Sequence, residues 1–139
     1  MKYDLARDHD DLRVTMREFA QLLQRSNVED MPEIARRRIV FSQLFREHMG
    51  REDAVVRGAG PALMTPEATK AVREHGRAMV ALFLRYSDHI KCWTPAQIVN
   101  DWQGYRDAVL ALQDALYERM EWEEAHLHPF FATMPRKAA

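Results

Sequence analysis

Three prolines in this chain each stand one or two residues after an Asp or Thr: Pro32 in "DMPE", Pro66 in "TPEA" and Pro95 in "TPAQ". A proline in the first turn of a helix loses nothing by lacking an N–H, and the residue before it can accept from backbone donors that the first turn leaves open. Glu33 and Gln97 follow Asp30 and Thr94 at the spacing of the reciprocal capping box. With Asp4 near the start, these signals mark four helices, roughly 4–26, 31–56, 66–91 and 95–128. The segments between them, "SNVED", "RGAGPALM" and "CWT", are short enough to make neighbouring helices antiparallel. The expected fold is all-α, an up-down-up-down antiparallel four-helix bundle over residues 1–139 as a single domain. No strand-like alternation, repeat or low-complexity tract competes with it.

A chain of 139 residues can bury a core without needing a metal or disulfide merely to fold. Its formal net charge of −1 gives no electrostatic reason to seek nucleic acid or acidic lipid. The run "ARRR" at 35–38 spreads around most of a helix circumference and reads as a solvated face. No apolar run reaches membrane-spanning length, no secretory segment is recognisable, and the single cysteine, Cys92, suits a reducing compartment. These features together predict a cytoplasmic protein with no membrane or nucleic-acid partner.

The apolar rows carry polar interruptions. At 3-and-4 spacing the first helix shows Leu5, His9, Leu12, Met16, Phe19 and Leu23, and the second Phe41, Phe45, His48, Glu52 and Val55. The third shows Ala68, Val72, His75, Met79, Leu82, Tyr86 and His89; the fourth shows Tyr105, Val109, Leu112, Leu116, Arg119, Glu123 and then Leu127 or His126. Leu12, Met16, Phe19, Phe41, Phe45, Leu82, Leu112 and Leu116 are the expected core.

In an up-down bundle, the start of helix 1, the end of helix 2, the start of helix 3 and the end of helix 4 share one end. His9, His48, Glu52, His75, Arg119 and Glu123 all fall there, at matching heights for a rise of ~1.5 Å per residue. A single inward histidine is ordinarily a hydrogen-bonded core residue, but several imidazoles and carboxylates at one level are how bundle cores build metal sites. His9, His48, Glu52, His75 and Glu123 are therefore candidate metal ligands. His89, ~21 Å along the helix from His75, reads as structural. His126 and His128 are expected at the surface or the mouth of the bundle, with His126 a reserve ligand if the last turn bends. Cys92 reads as an inert, partly buried thiol, and the three tryptophans as packing or rim aromatics.

The segments "DHDDL", "HMGRE", "EHGRAM" and "WEEAHLHP" together resemble the hemerythrin-like, HHE cation-binding family over nearly the whole chain. The resemblance implies a di-iron centre with histidine ligands and bridging carboxylates, used for oxygen binding, oxygen or nitric oxide sensing, or iron sensing and handling. By position, His9 and His48 would serve one metal and His75 the other, with Glu52 and Glu123 bridging. Catalysis by an enzyme is not implied. Two positions depart from the family pattern: Met79 stands where oxygen carriers have a second helix-3 histidine, and Arg119 where a histidine is expected before Glu123. Three states follow: an asymmetric di-iron centre completed by water, a single ion on His9, His48, Glu52 and Glu123, or a metal-free bundle serving protein interaction or regulation. Arg119 is expected to point inward, pair with Glu123 or Glu52, and hold occupancy below two ions per chain.

Overall fold

The computed structural model describes residues 4–25 and 27–132. Its elements are α1 (Leu5–Arg25), α2 (Met31–Gly58), α3 (Pro66–Cys92), α4 (Pro95–Asn100), α5 (Trp102–His126) and α6 (His128–Ala132), with 3-10 turns at Val28–Asp30 and Gly60–Leu63. No strand occurs among the described residues, and no helix among them is long and apolar enough to cross a membrane.

Local chemistry sets most of the starts. Thr65 accepts from the Ala68 amide and Thr94 from the Gln97 amide, each at 3.2 Å, while Asp4 accepts from Arg7 at 3.0 Å. The expected capping box at Asp30 does not form. A 3-10 turn precedes α2, so the Asp30 carboxylate reaches back to the Asn27 amide at 3.1 Å. Glu33 is held instead by hydrogen bonds from Arg36 and Arg37, which bring its pKa down to about 2.

The long fourth helix expected over 95–128 is broken twice. Asp101 leaves the helical region (φ −142°, ψ 72°) and caps α5 by accepting from Gly104 at 2.9 Å. Gly104 leaves room for this cap, because a Cβ at that position would lie 2.2 Å from an Asp101 carboxylate oxygen. The second break, at Leu127, redirects the chain into α6.

The four long helices pack on a shared core. Leu12 and Met16 of α1, Phe45 of α2, Leu82 of α3 and Leu112, Leu116 and Met120 of α5 form one cluster. Phe19, Leu22 and Leu23 join Ile34, Ile98, Tyr105 and Val109 in a second, at the end where α1 finishes and α2 begins. Of the expected core only Phe41 is half-buried rather than buried. His89 belongs to the second region, stacked on Tyr105 with ring centroids 5.9 Å apart. Burial, then the charges of Arg38 and Arg85, push its pKa down to about 4. Arg38 is not simply solvated, since its guanidinium lies over the Tyr105 ring at 5.7 Å. Cys92 is exposed rather than partly buried, because it falls on the last residue of α3, on the side away from the core.

Candidate metal centre

The polar layer sits beyond the first core cluster. α1 contributes His9, α2 His48 and Glu52, α3 His75 and α5 Glu123, and all five side chains are buried. Ligand-capable atoms of His9, His48, Glu52 and Glu123 lie within 4.8 Å of one another. His9 Nε2 is 3.1 Å from both His48 Nε2 and Glu123 Oε1. His75 joins from the other side, with Nε2 2.8 Å from Glu52 Oε1 and Nδ1 3.6 Å from Glu123 Oε2.

Each carboxylate therefore faces two ways. Glu52 Oε2 and Glu123 Oε1 look toward His9 and His48, whereas Glu52 Oε1 and Glu123 Oε2 look toward His75. Arg119 stands on the His75 side, 15% exposed, with Nε 3.4 Å from Glu123 Oε2 and its guanidinium 4.1 Å above the Trp122 ring. The charges are in contact but the N–H groups are not aimed at the oxygen, and Nε and Nη2 of this buried cation have no hydrogen-bond acceptor.

The outer nitrogens of the two closest histidines are tied to carboxylates that arginines hold in turn. His9 Nδ1 lies 2.7 Å from Glu124 Oε2, and Arg13 donates to the other Glu124 oxygen at 2.7 Å. His48 Nδ1 lies 3.0 Å from Asp8 Oδ2, and Arg51 donates to both Asp8 oxygens at 2.8 Å. The Arg13 hydrogen bond brings Glu124 down to about 2 against the effect of burial. Burial would raise Asp8, but Arg51 and His48 together hold it below the usual carboxylate range. Ionised carboxylates can only accept, so both Nδ1 atoms carry the proton, and a neutral ring then presents its Nε2 lone pair inward.

Two lone pairs 3.1 Å apart, beside two carboxylates, repel unless a positive charge lies among them. Burial disfavours charge on His48, yet Glu123, Glu52 and Asp8 outweigh it and raise its pKa. Glu123 responds in the opposite sense: burial would raise it, but His48, His9 and Glu52 hold it well below the carboxylate range. A proton can fill the cationic role, and so can a metal ion. The donor set fits the latter, since mixed imidazole and carboxylate ligands with carboxylates behind the imidazoles are characteristic of transition-metal sites.

His128 is a correction to the sequence reading. Expected at the surface or mouth, it turns inward, with Nε2 2.9 Å from Glu52 Oε2 and its ring 4.9 Å from that of His9. His126, the reserve ligand, is exposed and packs its ring on Trp122 at 5.3 Å. The last turn does bend, but at Leu127, which swings the following histidine inward rather than the preceding one. Pro129 carried the signal, because it offers no amide to continue α5 and favours a fresh helix start one residue before it. Asp8 and Glu124 were also missed; each is the chain neighbour of a candidate ligand, so adjacency to His9 and Glu123 could have marked them.

No family model, curated protein or solved structure matches this chain. What stands on geometry is an all-helical domain with a buried cluster of two histidines and two glutamates able to coordinate a metal ion.

Proposed function

We propose that this protein is a hemerythrin-like metal-binding bundle that holds one iron ion through His9, His48, Glu52 and Glu123, with His128 as a fifth ligand. The observation that carries the reading is the pair of Nε2 atoms at 3.1 Å whose outer nitrogens are both tied to carboxylates. That arrangement fixes tautomer and ring direction, the role outer partners play for metal-bound histidine. His75 completes the far side of the two carboxylates, and the Arg119 charge takes the part that a second ion would otherwise fill.

Iron bound there would supply a redox-active centre able to take oxygen or nitric oxide. The walls suit an uncharged diatomic. Leu12, Met79, Leu82 and Met120 line a small space against His48, Arg119 and Glu123, and Met16, Phe41 and Leu116 stand between it and a cavity of about 50 Å³ toward Tyr105. Entering such an apolar space costs an ion its hydration, while a diatomic gas loses little.

The test is metal content by plasma mass spectrometry after expression in iron-supplemented medium. The wild-type chain should retain iron, His9→Ala and His48→Ala should lose it, and His89→Ala should keep it. Metal-free wild-type protein from iron-replete cells would reverse the reading and assign the cluster to a self-neutralised polar core in an interaction module, which the Arg119 charge favours.

A further inference from the structure

Helix α3 buries Ala68, Ala71, His75 and Leu82 and turns the opposite face to solvent. That outer face carries an apolar patch among charges: Val80 is 61%, Phe83 53% and Leu84 59% exposed, with Arg73, Arg77, Asp88 and Lys91 exposed around them. An outer stripe at 3-and-4 spacing on a helix whose inner stripe is already packed marks an unpartnered surface.

From this face we infer that the protein forms a symmetric dimer through α3, packed antiparallel on α3 of a second copy with the two-fold axis between Leu82 and Phe83. The charges set the register. Arg77 and Asp88 stand equal distances either side of that point and on the same flank, so each is brought opposite its complement on the second copy. Both are exposed, and neither makes an ion pair within the described residues. In an antiparallel isologous pair, each flank of the helix meets the same flank of its copy. Arg77 and Asp88 lie on one flank, with Ala81 beside them. Phe83 lies on the other, where it comes beside Phe83 of the second copy next to the axis.

A register shifted by three residues would set Arg77 against Arg85, and a parallel pair would set it level with Arg77 of the second copy, so the charges also select against alternatives.

Sedimentation equilibrium of the full chain over a range of concentrations reads the association directly. A reversible dimer is expected, weakened at least about tenfold by Leu84→Glu, which buries a carboxylate from each copy at the crossing. Arg77→Glu alone and Asp88→Arg alone should each weaken it, and the double variant Arg77→Glu/Asp88→Arg should restore it, since the pair is exchanged rather than removed. Circular dichroism confirms that each variant is folded, as these sites lie on solvent. A wild-type chain that stays monomeric at all concentrations overturns the proposal, as does a dimer indifferent to Leu84→Glu or a charge exchange that fails to rescue.

Discussion

Arg119 decides how much positive charge the centre needs from outside. At 3.4 Å from Glu123, and with an effective dielectric of about 20, its attraction to that carboxylate is about 5 kcal/mol before desolvation is counted. A divalent ion on the same side of the carboxylates would feel roughly twice that as repulsion. One cation thus stands in for another, and its two unsatisfied donor nitrogens are the residual cost. Replacing Arg119 with His removes the fixed charge and adds an imidazole beside His75. Metal content of Arg119→His should rise from one ion per chain towards two; full two-ion loading of the wild type, or no gain in the variant, would refute this role for the residue. The five candidate ligands were legible in the sequence because each interrupts an apolar row at helical spacing, where an unpaired polar group is costly. The clamp of Arg13 on Glu124 and Arg51 on Asp8 was not, since its members lie on half-exposed positions where charged residues are ordinary.

At the scale of elements, helix starts were more readable than helix continuity. Thr65 and Thr94 announce α3 and α4 through side-chain acceptors that any helix start can use. Asp101 and Leu127 interrupt a segment whose apolar spacing runs on undisturbed, so periodicity alone reads one helix where the chain makes three. The break at Leu127 matters most for the site. Its side chain is fully buried, which anchors the bend that aims His128 at Glu52. Leu127→Ala should therefore destabilise the protein by about 2–5 kcal/mol in denaturant melts and weaken metal retention with it. His128→Ala separates the two effects: metal affinity measured by competition with a chelator should fall at least about tenfold, while the melting of the metal-free chain stays close to wild type. Unchanged affinity in His128→Ala would remove that residue from the ligand set.

As a whole, the molecule has a charged end and an apolar end, and they answer pH differently. At the apolar end His89 must stay neutral: its pKa is about 4 in the folded chain and about 6.5 when unfolded. Between those values the unfolded chain holds a proton that the folded chain lacks, so His89 makes stability rise with pH through the window and fall as acid is added. The loss on going from pH ~6.5 to ~4 is about 2 kcal/mol, allowing for the water that still reaches this half-buried ring. His89→Gln should flatten the stability curve over that window relative to wild type in urea melts; parallel curves would show that the ring is not held neutral.

The candidate ligands and their partners span the described chain, from Asp8 and His9 in the first turns of α1, through α2 and α3, to Glu123 at the end of α5 and His128 in α6. During synthesis His9 emerges 114 residues ahead of Glu123. No growing fragment that stops short of Glu123 owns the complete candidate donor set, so an ion taken up there would have to await the end of α5. The same spacing works in reverse. An ion held there would tie together residues more than a hundred apart, His9 and Glu123, and would stabilise the folded chain over the unfolded one by its binding free energy.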